Sequence, residues 1–276
     1  MKIDLHNHTN HSDGVFTPRE LIAEAKRQNV DVFALTDHDS VFGIEEIKKE
    51  IKDFNDIYVI PGIELSTFYK GENVHIVCLF KNGIIPDSMY EFSLKNKENR
   101  KTRAIKMMNN IKDIYGLKID MDLLFSTGEV ITRGNMLRNL VIANNMSFEE
   151  AKFYISSASK AYIPSSKLET KDGLALAKAA NAVCIFAHPC LVKREYIDEI
   201  LSFGFDGIEV YYPANKPGDE EYFKAKAKDY DLMWSAGSDC HGDKSHANIG
   251  TCYLNEEEFK PLAKAIGFRL EDLKWL

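Results

Sequence analysis

Six of the eight histidines in this chain stand at the ends of strand-like runs, in company with three carboxylates. The segments are DLHNHTNHSDG from residue 4, then LTDHD, GIEL, NVHIV, FAHP and SAGSDCHG. Ligand-type side chains that repeatedly follow an apolar run require a fold whose strand ends converge, a barrel rim or a parallel-sheet edge. Side chains two apart on a strand share a face, so His6 and His8 can enter one pocket together with Asp4, while Leu5 packs behind. Asp13 lies in Ser12-Asp13-Gly14, a turn able to swing a carboxylate back over that pocket. Glu64 is the best candidate for a bridging carboxylate. Imidazole with carboxylate suits Zn, Fe or Mn, whereas an oxygen-only set would suit Mg or Ca. A strand-end histidine such as His75 says little alone; the constellation carries the metal reading. His11 and His246 sit in polar loops and belong at the surface or rim. Cys190 and Cys240 neighbour the motifs, but Cys240 faces away if Asp239 and His241 face the pocket, and neither thiol is expected to be a ligand.

The rest of the chain alternates strand-like and helical patterns. Residues 2–6 read as a strand. TPRELIAEAKRQN then carries a Thr17 cap, Pro18 at the first helical position and Glu20 completing a capping box. Strands VDVFALT, IYVIPGIEL and NVHIVCLF follow, with the helix GIEEIKKEIKDF among them. After residue 170 the alternation resumes, with helices leading into AVCIFAHP, DGIEVYY and LMWSAGSD. Buried strands separated by helices imply parallel-sheet or barrel construction. Residues 88–165 break the rhythm with successive helical patterns (KENRKTRAIKMMNNIKDIYG, MLRNLVIANN, SFEEAKFYIS) and concentrated positive charge at Arg100, Lys101, Arg103, Lys106, Arg133 and Arg138. Because alternation returns beyond them, the expected organisation is one barrel, 1–87 and 166–276, with 88–165 inserted as a helical substrate-binding lobe.

With 276 residues and 45% hydrophobic composition, the chain can form one large core, or a core and a small lobe. A net charge of −7 argues against broad polyanion or long-DNA binding but permits a small phosphorylated substrate in a local basic pocket. Five cysteines without paired spacing, no leader-like N-terminus and no membrane-length apolar run predict a cytoplasmic protein with reduced thiols. There is no G-x-S-x-G elbow, phosphate loop or H-E-x-x-H pair, so water activated by metal is the expected nucleophile.

DLHNH, TDHD, GIELS, AHP and GSDCHG, in that order, closely resemble the PHP (polymerase and histidinol phosphatase) family over essentially the whole chain. The resemblance implies an α/β fold, a distorted (β/α)7 TIM-like barrel, holding two or three divalent ions (Mn, Fe or Zn). It implies as metal ligands His6, His8, Asp13, His38, Glu64, His75, His188, Asp239 and His241. Of these, His8, Asp13, His38, Glu64, Asp239 and His241 are the catalytic candidates. By the family pattern His6, His8, Glu64 and Asp239 hold one ion, Glu64, His75 and His188 a second, and Asp13, His38 and His241 a third. AYIPSSK, GFDGIEVYYP and the Arg133–Arg138 spacing resemble the TrpH/YciV-like branch, 3′,5′-nucleotide bisphosphate phosphatases that are also 5′-to-3′ exoribonucleases. That branch carries a Gly-Arg-Pro-His run in the lobe, where this chain reads Thr-Arg-Gly-Asn and places Asn135 at the histidine position.

The resulting expectation is a phosphoesterase that hydrolyses nucleotide phosphate esters, including short 5′-phosphorylated oligonucleotides, through a metal-bridging hydroxide. Arg133 is the first candidate for phosphate contact, with Arg103 and Arg138 as helpers. Tyr211 and Tyr212 could stack on a base or close the rim. A histidinol-phosphate phosphatase would use the same metals without needing a nucleobase pocket, and the basic lobe favours nucleotides over it. A nonenzymatic metal-bound regulatory module is disfavoured by the complete ligand set. An amide or lactone hydrolase is disfavoured by Arg133 and by the lack of an obvious bridging carboxylated lysine.

Overall fold

The computed structural model describes residues 1–126, 131–163, 168–270 and 274–275. Its frame is a seven-stranded sheet in sequence order: β1 (Ile3–Asp4), β2 (Val32–Leu35), β3 (Tyr58–Tyr69), β4 (Glu72–Phe80), β5 (Ala182–Phe186), β6 (Gly207–Tyr211) and β7 (Met233–Ala236). The sheet curls until its edges meet: the Leu5 amide donates to Ala236 O at 2.9 Å and the His8 amide to Cys240 O at 2.9 Å. The architecture is therefore the distorted, TIM-like barrel that the sequence predicts.

Alternating residues of the strands feed two different cores, as a period of two requires. Val32 and Ala34, Val77 and Leu79, and Val183 and Ile185 fill the interior cluster. Phe33 and Leu35, Cys78 and Phe80, and Cys184 and Phe186 pack outward against the helices. Those helices are α1 (Pro18–Arg27), α2 (Phe42–Glu50), α7 (Thr170–Ala179), α8 (Arg194–Leu201) and α9 (Asp219–Asp229). The final helix α10 (Glu256–Ile266) contributes Phe259, Leu262 and Ile266 to the interior cluster, opposite the end where the histidines gather. The Thr17 cap forms as predicted, with its side chain accepting from the Glu20 amide and the Glu20 side chain returning the bond.

One feature departs from an all-parallel reading. β4 runs antiparallel to both β3 and β5. Only Lys70 and Gly71 separate β3 from β4, at φ +46° and +93°. Two residues cannot make a crossover, and a pair with positive φ forms the hairpin turn whose twist matches the strands.

Between β4 and α7 the described residues form α3 (Asp87–Tyr115), α4 (Met121–Ser126), α5 (Arg133–Asn144) and α6 (Phe148–Ile155). α3 begins ten residues before the helical pattern read from Lys97, immediately after Pro86, and ends at Gly116 with φ +70°. The four helices share a cluster drawn wholly from residues 104–163, including Met107, Met108, Ile111, Met136 and Leu140. The expected lobe boundary at 165/166, and the last residues of AYIPSSK, lie outside the described residues. Among the described residues no helix is long and apolar enough to cross a membrane.

Candidate metal centre

The nine side chains singled out in the sequence converge at one end of the barrel. His6 and His8 follow β1, Asp13 lies in the turn beyond, and His38 follows β2. Glu64 and His75 stand within β3 and β4, His188 follows β5, and Asp239 and His241 follow β7. Two of the strand-end residues, His188 (φ +30°) and Asp239 (φ +50°), have left-handed backbone, which breaks the strand and redirects the chain at the site.

Glu64 is the hub. Its Oε2 lies 3.3 Å from His6 Nε2, 3.3 Å from His8 Nε2 and 2.8 Å from His38 Nδ1. Its Oε1 lies 2.8 Å from His75 Nδ1 and 3.0 Å from His188 Nε2. Asp239 Oδ1 is 3.1 Å from His8 Nε2, and Asp13 Oδ1 is 3.2 Å from His241 Nε2. Four overlapping sets have their ligand atoms within 4.8 Å of one another: His8, Asp13, His38 and His241; His6, Glu64 and His188; His6, His8 and Asp239; His38, Glu64 and His75. His8, assigned with His6 by the family pattern, also falls with the Asp13 set, so the geometry overlaps where that pattern is disjoint.

The donor set fits divalent ions. His6 Nε2, His8 Nε2, His38 Nδ1, Glu64 Oε2 and Asp13 Oδ1 are buried without a hydrogen-bond partner. Buried polar atoms are nearly always satisfied, and so many orphans aimed at one volume mark a place for a cation. The electrostatics agree. Burial opposes charge on Asp13 and Glu64, yet the surrounding imidazoles hold both carboxyls well below the usual range. Burial likewise opposes a charged His6, but Glu64, Glu209 and Asp239 raise it well above the ordinary histidine value. His241 is pushed up to about 10, burial being outweighed by Asp13 and Asp239, whereas burial takes His75 down to about 4.

One supporting residue, Glu209, was not singled out in the sequence; others that were named take unexpected roles. Glu209 of β6 is buried, with Oε1 3.2 Å from His6 Nδ1 and Oε2 accepting from the His188 amide at 2.6 Å. Its signal was present: Gly207-Ile208-Glu209-Val210 repeats the pattern of Gly62-Ile63-Glu64-Leu65, with the acid opposite two outward apolar residues. Tyr212 donates to Asp239 Oδ2 at 2.9 Å, a contact neither base stacking nor rim closure anticipated. Asp37 accepts from the Thr9 amide and from the Thr9 and Ser12 hydroxyls, which shapes the turn carrying Asp13. Asp39 pairs with Arg100, which also donates to Ser66 Oγ at 2.8 Å. Neither Asp37 nor Asp39 hydrogen-bonds a clustered imidazole. Asp4 does not join the histidines as expected. It takes the amides of His6, Ser238 and Gly250, an Asx-type clasp that bends the chain after β1. Cys240 packs in the outer core, and burial pushes its thiol and that of Cys190 up to about 12.

The arginines divide. Arg133 and Arg103, joined by Arg100, line a cavity of about 170 Å³ with Asp13, His38 and His75. Arg103 is half-buried and donates to Ile163 O at 2.7 Å. Arg138 opens on another cavity and lies 3.9 Å from Asp243. Asn135 is buried at the third position of α5, accepting from the Thr132 amide at 2.6 Å and hydroxyl at 2.9 Å. Asparagine thus completes a capping box that starts α5. His246, left at the rim, stacks on His241 with centroids 4.0 Å apart. His11 contacts Glu46 at 2.9 Å, away from the centre.

Comparison with known proteins agrees with this geometry. A 5′-3′ exoribonuclease of Haemophilus influenzae is 31% identical over 250 residues, spanning 87% of this chain and 90% of its own. A 3′,5′-nucleoside bisphosphate phosphatase of Chromobacterium violaceum is 28% identical, spanning 98% of this chain and 96% of its own. A solved structure from Bifidobacterium adolescentis, assigned as a metal-dependent phosphoesterase, superposes with a TM-score of 0.85 over 98% of both chains at 24% identity, which speaks to the fold. The PHP domain model matches residues 4–192, the stretch that supplies seven of the nine converging side chains. By its matched residues and its relatives alike, the chain belongs to the PHP domain family.

Proposed function

We propose that the chain is a metal-dependent phosphoesterase acting on nucleotide phosphate esters, namely 3′,5′-bisphosphates such as adenosine 3′,5′-bisphosphate and short 5′-phosphorylated oligonucleotides. The observation that carries this reading is the cluster of unpartnered imidazole and carboxylate atoms opening directly onto a mouth lined by Arg100, Arg103 and Arg133. The activities of the relatives support the substrate class.

Glu64, His6, His8, His38, His75, His188, Asp239, Asp13 and His241 would hold two or three ions, and the two oxygens of Glu64 face different histidines. When bound, such ions lower the pKa of water and offset charge on the phosphate oxygens. Glu209 fixes the His6 ring through Nδ1, leaving Nε2 directed into the centre. Tyr212, by donating to Asp239, favours the ionised carboxylate. Arg133 presents a fork of donors to a phosphate from the first position of α5. Gly134 lies next to it, where an added Cβ would lie 3.5 Å from the Asp13 carboxylate, so the start of α5 borders the centre directly.

The test is phosphate release by the Mn-loaded protein on adenosine 3′,5′-bisphosphate, a 5′-phosphorylated dinucleotide and histidinol phosphate. Preference for the nucleotides is expected, and preference for histidinol phosphate would overturn the substrate assignment. Arg133→Ala should raise KM for the nucleotides about tenfold or more, as loss of a charge-assisted hydrogen bond does. An unchanged profile would remove Arg133 from the site.

A further inference from the structure

The centre has a second opening, away from Arg103 and Arg133. This cavity of about 430 Å³ shares Asp13, His38 and His75 with the first and adds Glu64 to its floor, but its outer wall is of different character. Phe148 and Lys152 face it from α6, Arg138 from α5, and Leu191 from the turn that follows His188. Phe148 is 43% and Leu191 56% exposed. Large apolar side chains left open singly are ordinary; two of them bordering one cavity that is floored by ligand-type residues are not.

Their placement is fixed from both sides. Phe148 and Lys152 are one helical turn apart and share a face of α6, a helix anchored by Ala151 and Ile155 in the helical cluster. Leu191 is three residues beyond His188, so its distance from the centre is set by the same turn. Among the described residues, Lys152 pairs with Glu149 at 2.6 Å on the surface, and the partly buried Arg138 lies 3.9 Å from Asp243. The exposed pair is weak and the other is long, so both cations can turn to an anionic ligand. An aromatic ring and a branched apolar chain flanked by cations, beside a centre that would bind phosphate, match an unpaired nucleobase with its phosphate.

We propose that Phe148 and Leu191 form a stacking subsite for the nucleobase adjoining the hydrolysed phosphate, with Lys152 and Arg138 facing the neighbouring phosphate. This rests on the phosphoesterase reading of the centre. It makes the base a determinant of specificity and divides labour between the two openings, one lined by arginines and the other combining Phe148 and Leu191 with polar and charged groups.

The experiment compares wild type, Phe148→Ala, Phe148→Trp and Leu191→Ala on adenosine 3′,5′-bisphosphate, a 5′-phosphorylated dinucleotide and base-free ribose 3,5-bisphosphate. Phe148 is the first residue of α6, and its replacement leaves the Ser147–Glu150 capping box intact. Phe148→Ala should raise KM about tenfold for the two nucleotides without moving kcat, the lower part of the range for losing a stacked base. The base-free substrate should not respond, and Phe148→Trp should restore the nucleotide KM. A loss shared equally by the base-free substrate, or no loss on either nucleotide, overturns the subsite while leaving the phosphoesterase reading intact. If wild type releases phosphate from none of the three, the phosphoesterase reading fails by itself. Calorimetric binding of adenosine 3′,5′-bisphosphate then decides the subsite: about tenfold weaker binding by Phe148→Ala supports it, and equal binding overturns it.

Discussion

Glu209 shows how a residue outside the cluster governs it. It meets His6 through one oxygen and the His188 backbone through the other, tying β6 to groups that follow β1 and β5. Removing such a partner to a ligating imidazole typically weakens metal affinity about 10- to 100-fold. Glu209→Gln keeps the shape and loses the charge. Metal titration of its phosphatase activity should shift to higher concentration by that factor, with kcat largely recovered at saturation. An unshifted titration would reduce Glu209 to packing. Asp4, Asp37 and Asp39 occupy equally suggestive sequence positions, yet each is committed elsewhere: to backbone amides, to a turn and to Arg100.

At the level of elements, the site depends on how closely neighbouring strands approach. Gly237 follows β7 directly, and a methyl group there would overlap both His6 Cβ and Glu209 Oε1. Gly237→Ala must therefore displace both His6 and the Glu209 carboxylate, or move its own strand end. Overpacking of this kind costs about 1–3 kcal/mol. Chemical denaturation should register that loss, and metal content per chain should fall with it; native metal content would show that the strand ends can yield. The β3–β4 hairpin acts in the opposite sense, pairing Glu64 with Val77 and Ser66 with His75 and so setting Glu64 and His75 diagonally on one face of two strands. The Thr132–Asn135 capping box serves α5 likewise, starting the helix where Arg133 and Gly134 border the centre.

For the molecule as a whole, the cluster makes stability depend on metal and on pH. Bound ions stabilise by mass action, about 2.7 kcal/mol at a hundredfold excess over Kd for each independent site. In the metal-free chain, His241 carries a raised value of about 10 against 6.5 unfolded. The stability it contributes is complete below pH 6.5 and is lost as pH rises through about 10. His6, His38 and His188 are shifted in the same direction, while His75, near 4, does not titrate in that window. Metal binding needs neutral imidazoles and should strengthen over the same range. Thermal melts of chelated protein are thus expected to fall from pH 6.5 to 10, with a widening gap to the metal-loaded protein. His241→Gln should flatten the chelated series; an unaltered slope would locate the effect elsewhere.

The sequence by itself determined the barrel, the helical interruption after β4 and the nine converging side chains, because strand periodicity, helix caps and motif order are local and survive being read one residue at a time. It did not determine that β4 runs antiparallel, that Asp4 leaves the pocket, or that Glu209, Tyr212 and Arg100 support it. Those outcomes depend on contacts between residues far apart in the chain, 203 positions in the case of His6 and Glu209. The division of the arginines between two openings combines both levels: Arg133 and Arg138 are five residues apart on α5, about 1.4 turns, so they leave the helix in different directions, and the packing of that helix over the barrel end decides which cavity each one faces.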